Sequence, residues 1–276
     1  MALALIMSSF VAADRIGGAA QQYVLAAHRI DPVLAPTVMF GRSPAKGAEG
    51  QVTAPPVFRR MLADIEADAV FGYVDLVIAG HFSLAAQVEI AADTLERIRA
   101  ASERRPVVIV DPIMGDAPKG LYVPPEVAAA IADRLVPLAD WITPNLWELG
   151  HLAGCEIGDA PAAAAAARKL GRPALVTSVP AREGEIGLLF CDGESAMLFA
   201  HPRLPQAPNG TGDLITASFG AGLVEGLSAL AAAERAARAV AEAVQAAKAW
   251  RTPDLPLVAI ADRLVRPTAE VRMERL

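Results

Sequence analysis

The sequence predicts an α/β fold built on a central, mostly parallel sheet with helices on both faces. Short apolar runs, such as Leu76–Ala79 and the β-branched Val107–Val110, are too short for helices. Between such runs, apolar residues recur at helical spacing, as at Val88, Ala91 and Leu95. This alternation of strands and helices along most of the chain is typical of βαβ units, which place helices on both sides of a parallel sheet.

The predicted elements follow this pattern in order. Strands are predicted at residues 3–7, 33–40, 76–79, 107–110 and 175–177, and helices at residues 19–28, 88–101, 125–135 and 160–170. Strands at 185–191 and 195–200 then flank Asp192-Gly193, which indicates a hairpin, and helices follow at 214–225 and 230–250.

The domain organisation is predicted to be simple. No linker or repeat interrupts the pattern, so residues 1–276 are interpreted as one domain. Residues 41–56 are rich in Gly, Pro, Ala and Lys and lack periodicity, which favours a mobile loop or lid. An ordinary solvated loop is the alternative.

Composition excludes several classes of protein. A hydrophobic fraction of 54% and a charged fraction of 20% favour a large buried core. The net charge of −6 and the lack of a Lys and Arg run argue against nucleic-acid binding. The two cysteines form no Cys-x-x-Cys pair, which argues against a zinc site. The apolar N-terminus lacks a basic region and the Ala-rich stretches carry charges, so we expect no membrane span and a cytoplasmic location. With nucleic acid disfavoured, we expect a small-molecule ligand.

The strongest functional signal is Asn209-Gly210-Thr211-Gly212-Asp213, directly before a predicted helix. The glycines let the backbone amides converge, and the unpaired N–H groups of a helix start attract an anion such as phosphate. The Asp213 carboxylate in the first turn is suited to accept the proton of an attacking hydroxyl. Simple capping of the helix by Asp213 is the alternative.

Three more polar segments follow predicted strands. They begin at Asp111, at Thr143-Pro144-Asn145 and at Thr177-Ser178, and Glu148 lies on the next helix after the second. Asp111 and Glu148 are oxygen ligands of the kind that Mg²⁺ prefers. Each segment alone is explicable as a cap or a turn. Because ligands bind at the carboxyl ends of parallel strands, four such segments in order predict one shared site.

The order D-P-x-M-G-D, T-P-N-x-x-E, V-T-S and N-G-T-G-D resembles the pyridoxal kinase branch of the ribokinase-like superfamily. The likeness extends over nearly the whole chain. It includes Gly18-Ala19-Ala20, Thr37-Val38-Met39-Phe40, Leu121-Tyr122-Val123-Pro124 and Ala261-Asp262-Arg263-Leu264. The G-T-G-D element is shared by many ribokinase-like kinases, whereas residues 111–124 indicate the vitamin B6 branch.

This resemblance implies a ribokinase-like kinase that uses ATP and Mg²⁺, with a monovalent cation as a further candidate. It would phosphorylate the hydroxymethyl group of a B6 vitamer to give the 5′-phosphate, and would form a homodimer. By resemblance, Asp213 is the base, and Gly210, Thr211 and Gly212 form the anion hole. Mg²⁺ and the phosphates would be bound by Asp111, Asn145 and Glu148. ATP would be contacted by Thr177 and Ser178. The substrate ring would be contacted by Ser8, at the end of the first strand, and Tyr122 would face the substrate or nucleotide side.

The chain departs from the family pattern on the acceptor side. At the positions of Ser8-Ser9-Phe10, the family pattern resembles S-H-V. In the lid, Ser43 and Pro44 replace a His and a Thr of that pattern. His81 replaces a frequent tyrosine and is predicted to face the acceptor. A kinase for another hydroxymethyl heterocycle such as the thiamin pyrimidine, for a sugar or for a nucleoside is the alternative. A carrier without turnover is a second one, against which the intact Asp213 argues.

Overall fold

The computed structural model describes residues 2–204 and 208–276. The strands are β1 (Ala2–Val11), β2 (Ile30–Phe40), β3 (Gln51–Val52), β4 (Leu76–Ala79), β5 (Val107–Val110), β6 (Gly115–Asp116), β7 (Gly120–Leu121), β8 (Trp141–Ile142), β9 (Ala174–Pro180), β10 (Glu185–Cys191), β11 (Ala196–Pro202) and β12 (Arg272–Arg275). The α-helices are α1 (Gly17–Ala27), α2 (Pro55–Ala67), α3 (Ala85–Ala101), α4 (Pro125–Ala130), α5 (Leu146–Ala153), α6 (Ala160–Leu170), α7 (Thr211–Val224), α8 (Ala229–Trp250) and α9 (Ala261–Val265).

The predicted α/β class is confirmed. Ten strands form one sheet in the order β12-β11-β10-β9-β8-β5-β4-β1-β2-β3, while β6 and β7 form a separate hairpin. The six strands from β9 to β2 are parallel to one another. Antiparallel strands complete both ends, with β10 to β12 on one side and β3 on the other. From β1 the chain leads to β2 on one side and to β4 on the other, so a crevice opens at the carboxyl ends of these strands.

The sheet separates two hydrophobic cores. Leu5 and Met7 of β1 face helices α2 to α6, whereas Ala4 and Ile6 face α1, α7, α8 and α9. Side chains alternate between the faces of a strand, so β1 contributes to both cores. A strand covered on both faces must be apolar throughout, which explains the continuous apolar runs of β1, β4 and β5.

Several element boundaries differ from the predictions. The first strand continues to Val11, because the chain resumes pairing with β2 after a register shift between Ser8 and Phe10. Helix α2 was missed, since Pro55-Pro56 was interpreted as loop, although proline is well suited to the first turn of a helix. Strand β12 was also missed. The helix predicted at 125–135 consists of α4 and one π-helical turn, Ile131–Leu135.

The predicted lid segment, residues 41–56, contains local structure. It includes a 3₁₀ turn at Pro44–Lys46 and strand β3, which pairs with β2. The buried Asp14 carboxylate accepts hydrogen bonds from the Ser43 N–H and the Lys46 ammonium. Lys46 Nζ also lies 3.9 Å from Asp254 Oδ1, in the segment after α8. Closure of this segment over a ligand stays a prediction.

Helices of the described residues are all too short or too polar to cross a lipid bilayer.

Candidate functional site

The Asn209–Asp213 segment forms a turn that leads into α7. Gly210 has a φ of 92° and is the residue before the helix. A Cβ atom at Gly210 would lie 2.1 Å from the Arg15 carbonyl oxygen, so only glycine fits there. A Cβ at Gly212 would meet no atom of the described residues within 4 Å, so this side of the turn is open with respect to them. The helix begins at Thr211, three residues earlier than predicted, and its first N–H groups border this open space.

Asp213 lies in the first turn of α7 and reaches the start of a second helix. Its Oδ2 accepts a hydrogen bond of 2.8 Å from the Gly17 N–H, and Gln21 Nε2 lies 3.4 Å from Oδ1. The residue before the helix is Gly210, so Asp213 is not the N-cap residue. Burial raises the pKa of Asp213 to about 6, although its backbone hydrogen bonds lower it. The carboxylate is therefore largely ionised at neutral pH, yet basic enough to bind a proton.

Asp111 lies directly after β5 and is buried beneath the same edge of the sheet. The Thr216 hydroxyl on α7 donates to Asp111 Oδ2 at 3.0 Å, and the Thr143 hydroxyl lies 2.8 Å from Thr216 Oγ1. Burial and then the charges of Glu148 and Asp213 raise the pKa of Asp111 well above its usual range. Asp111 is thus repelled by both of the other carboxylates within a buried region.

Glu148 is held by backbone groups of two loops. Its Oε1 accepts the Met114 N–H at 2.9 Å and lies 3.4 Å from the Gly115 nitrogen, and Oε2 accepts the Asn145 N–H at 2.8 Å. In return, the Glu148 N–H donates to Asn145 Oδ1 at 2.9 Å, which forms a capping box at the start of α5. Burial raises the pKa of Glu148 to about 7 against these hydrogen bonds.

The three carboxylates fit a cation. Within residues 2–204 and 208–276, no Lys or Arg forms an ion pair with Asp111, Glu148 or Asp213. The same residues contain no cluster of three His, Cys, Asp or Glu side chains that could hold a metal ion with protein ligands alone. Mg²⁺ usually keeps several waters and binds one or two carboxylates together with substrate phosphates, which suits this arrangement.

Asn145 contacts Glu148, while Thr177 and Ser178 lie in β9, where Thr177 forms an isolated bridge with Asn145. Asn145 Nδ2 donates to the Gly115 carbonyl at 2.8 Å, so this side chain joins the β5 and β8 loops. The Thr177 N–H donates to the Pro144 carbonyl at 2.9 Å. Ser178 is exposed and has a φ of 61°, a conformation that non-glycine residues rarely adopt outside turns.

The predicted acceptor side contains Ser8, His81 and Tyr122. Ser8 is wrongly predicted as the last residue of its strand; it lies inside β1, and its fully buried Oγ accepts the His81 N–H at 3.2 Å. The His81 ring lies 3.3 Å from Ser83 Oγ through Nε2, and burial lowers the pKa of His81 to about 4, so the ring is neutral at pH 7. Tyr122, which follows the β6–β7 hairpin, is 51% exposed and free to contact a ligand at the rim.

A cleft of about 530 Å³ is lined in part by Pro208, the residue before the Asn209–Asp213 turn. Leu204 and Pro208 form one wall, and the end of α8 with the following segment, including Val244, Lys248 and Thr252, forms the other. This cleft was not predicted from the sequence, because its walls come from residues without a motif. Gly17 and Thr216 were not predicted either. Thr216 was detectable in principle, since it follows Asp213 by three residues and so lies on a neighbouring face of α7.

Comparison with known proteins defines the class. Residues 60–256 match the family model described as phosphomethylpyrimidine kinase, which is well over half of the chain. The chain is therefore a phosphotransferase that acts on an alcohol group. The matched region contains the turn and all three carboxylates, whereas Ser8 and the segment 41–56 lie outside it.

Curated relatives narrow the assignment. A pyridoxine/pyridoxal/pyridoxamine kinase of Bordetella avium is 34% identical over 246 residues, which cover 86% of this chain and 83% of the relative. A pyridoxal kinase PdxY of Rubrobacter xylanophilus is 31% identical over 281 residues, covering 99% and 97% of the two chains. This chain therefore belongs to the pyridoxal kinase family.

Solved structures share the fold. Pyridoxal kinase from Leishmania donovani in complex with ADP and pyridoxamine superposes with a TM-score of 0.92 at 22% identity, covering 100% of both chains. Pyridoxal kinase from Entamoeba histolytica gives a TM-score of 0.90 at 20% identity, covering 100% of this chain and 99% of the other. The ribokinase-like fold predicted by resemblance is confirmed.

Proposed function

We propose that this chain transfers the γ-phosphoryl group of ATP to the hydroxymethyl group of a B6 vitamer, giving the 5′-phosphate. The observation that carries this proposal is the position of Asp213, a buried carboxylate at the open start of α7 with two further carboxylates nearby. Membership of the pyridoxal kinase family, and the activities named for its relatives, support the B6 vitamer as acceptor.

In this proposal Asp213 is the general base. Its Oδ2 is oriented by the Gly17 N–H, which leaves carboxylate lone pairs for the acceptor hydroxyl. The proton passes from that hydroxyl to Asp213 as the oxygen attacks the γ-phosphorus, and the bond from this phosphorus to the β,γ-bridging oxygen breaks and releases ADP. The N–H groups at the start of α7, in Gly210, Thr211 and Gly212, stabilise the charge on the phosphoryl oxygens. Catalysis of this kind depends mainly on positioning and electrostatics.

Asp111 and Glu148 would hold Mg²⁺, directly or through water. When bound, the metal would neutralise phosphate charge. Each carboxylate oxygen has two lone pairs, so the hydrogen bonds that Glu148 already accepts leave capacity for metal-bound water. Asn145 would act mainly by fixing Glu148 and the Gly115 loop, because both ends of its amide are already hydrogen-bonded.

The cleft beside the turn would receive the nucleoside of ATP. Apolar walls that include Leu204 and Val244 suit a base, and Lys248 supplies a positive charge at the same cleft. Thr177 and Ser178 would contact the phosphate chain from β9. On the other side of the turn, Ser8, His81 and Tyr122 would surround the acceptor ring.

A second candidate acceptor is a hydroxymethyl aminopyrimidine. The description of the matching family model favours it, as do the changed acceptor-side residues Ser43, Pro44 and His81. A homodimer, a monovalent cation and a cytoplasmic location are proposed on family resemblance alone.

The test is a panel of ATP-consumption assays with purified protein. Pyridoxal, pyridoxine, pyridoxamine, the thiamin pyrimidine, sugars and nucleosides are compared by kcat/KM at fixed Mg²⁺·ATP. We expect the highest value for a B6 vitamer, with formation of its 5′-phosphate verified by mass. A higher value for the pyrimidine would replace the acceptor and keep the reaction. Absence of turnover with every acceptor, together with tight vitamer binding, would support the carrier alternative.

A further inference from the structure

Thr216 lies where helix α7 meets the segments that follow β5 and β8. It lies on α7 three residues after Asp213, and it is fully buried. Its hydroxyl is within hydrogen-bonding distance of Asp111 Oδ2, after β5, and of Thr143 Oγ1, after β8. No motif of the sequence indicated a role for this residue.

The direction of these hydrogen bonds follows from counting protons. A threonine hydroxyl has one hydrogen, and a carboxylate that binds Mg²⁺ is ionised and can only accept. In that state the Thr216 hydrogen goes to Asp111 Oδ2, so the Thr143 hydroxyl donates to Thr216 Oγ1. The result is a directed chain from Thr143 through Thr216 to Asp111, with heavy-atom distances of 2.8 and 3.0 Å.

We infer that Thr216 is a positioning residue for phosphoryl transfer: its hydroxyl fixes the Asp111 carboxylate relative to the helix that carries Asp213. Asp111 follows a strand and Asp213 belongs to a helix, and no hydrogen bond joins the two carboxylates directly within the described residues. Thr216 belongs to the same helix as Asp213 and contacts Asp111, so it sets the spacing between the base and the carboxylate proposed to bind Mg²⁺. This inference rests on the proposed roles of Asp111 and Asp213.

The chain offers a matched control in Ser218. Ser218 lies on the same helix and is also fully buried, but among the described residues its hydroxyl has no hydrogen-bond partner. Thr216→Val keeps the shape and removes the hydroxyl, Thr216→Ser keeps the hydroxyl, and Ser218→Ala removes a buried hydroxyl without breaking a hydrogen bond. A role limited to helix packing would affect Thr216→Val and Ser218→Ala alike.

The measurement is ADP binding by calorimetry, with and without Mg²⁺, on the full chain. Loss of a residue that orients a metal ligand typically lowers metal affinity or activity 10–100-fold. We expect Thr216→Val to weaken Mg²⁺-dependent ADP binding by about tenfold, while binding without Mg²⁺ stays within about twofold. Thr216→Ser and Ser218→Ala should retain the parent values. Parent-like Mg²⁺-dependent binding by Thr216→Val, or equal losses in Thr216→Val and Ser218→Ala, would overturn the inference.

A double-mutant cycle locates the effect at Asp111. In an Asp111→Asn background, Thr216→Val should add no further loss of Mg²⁺-dependent binding, because the carboxylate that it positions is already gone. Additive losses would overturn the inference. If Thr216→Val does not fold, Thr143→Val removes the donor at the other end of the chain and should weaken the same Mg²⁺-dependent binding to a smaller degree; unchanged binding would count against the inference. A parent protein without kinase activity, whose Mg²⁺-dependent ADP binding still depends on Thr216, would refute the proposed function and leave the positioning role intact.

Discussion

The phosphate side and the acceptor side of this site differ in how their polar groups are satisfied. On the phosphate side, Asp111, Glu148 and Asp213 are buried carboxyl groups that accept hydrogen bonds only from neutral groups, and none of them pairs with a Lys or Arg within the described residues. On the acceptor side, the Ser8 hydroxyl accepts the His81 N–H, and Asp14 is paired with Lys46. The phosphate side is therefore suited to a cation, whereas an acceptor must compete with contacts that already exist.

This difference explains why the phosphate side matches the residue pattern of the family and the acceptor side departs from it. A buried set of like charges is unfavourable without its ligand, so its presence is accounted for by chemistry rather than by stability. The acceptor side is locally self-consistent, and it is also where Ser43, Pro44 and His81 depart from the family pattern. Reaction type is thus better determined than acceptor identity, and the following changes separate the two regions.

The largest effect is expected at the base. Asp213→Asn should lower kcat by roughly 10²–10⁴-fold, because an amide cannot take up the proton of the hydroxyl. ADP binding, measured by calorimetry, should remain close to the parent value. Asp133→Asn, an exposed carboxylate in the π-helical turn, is the control. A kcat within about threefold of the parent would rule out the base assignment, because so small a loss is far below the contribution of general-base catalysis.

The stability of the same variant relative to its parent should increase with pH. The pKa of Asp213 is about 6 in the folded protein and about 3.9 in an unfolded chain, so the folded state holds this proton more tightly. The parent therefore loses stability from this group as pH rises from about 4 to 6, and the asparagine variant does not. Between pH 4.5 and pH 8, we expect the difference in free energy of unfolding to shift by roughly 2 kcal/mol in favour of the variant. Urea unfolding of ligand-free protein measures it, and a difference independent of pH would contradict the buried carboxylate.

A smaller effect is expected at Glu148. Glu148→Gln keeps the size of the side chain but replaces one carboxylate oxygen by an N–H₂ group that faces backbone N–H donors. The Mg²⁺ concentration for half-maximal activity should rise about tenfold, the lower end of the range for residues around a metal. Glu156→Gln, exposed after α5, is the control. An unchanged Mg²⁺ titration would make Glu148 a capping residue only.

The smallest effect is expected on the acceptor side. Lys46→Met removes the contact that joins the predicted lid segment to Asp14 and approaches Asp254. Partly exposed ion pairs contribute about 0.2–1 kcal/mol, so the acceptor KM should change by only about two- to fivefold, with kcat nearly unchanged. Hydrogen exchange of residues 41–56 should become faster, while Lys119→Met leaves it unaltered. Unchanged exchange in Lys46→Met would mean that this ion pair does not hold the segment.

The local sequence was sufficient to predict where the residues of the phosphate side lie on the strands and helices. Asp111, Thr143 and Asp213 were predicted at strand ends and at a helix start, and the structure has them there. Their individual roles stay predictions. Prediction was weaker for Ser8, because the register shift that carries β1 on to Val11 depends on pairing with β2. It was also weaker for residues 41–56, where Pro55-Pro56 suggested a loop although α2 begins there.

The sequence by itself determined the α/β class, the G-T-G-D turn and the order of the polar strand ends, because apolar periodicity and glycine conformations are local properties. Only the tertiary structure decided which atoms meet. The Gly17 N–H and the Asp213 carboxylate are 196 residues apart in sequence, and the Thr216 hydroxyl and Asp111 are 105 apart. Such pairs form where packed helices and strands bring distant groups within 3 Å, and no local pattern specifies that distance.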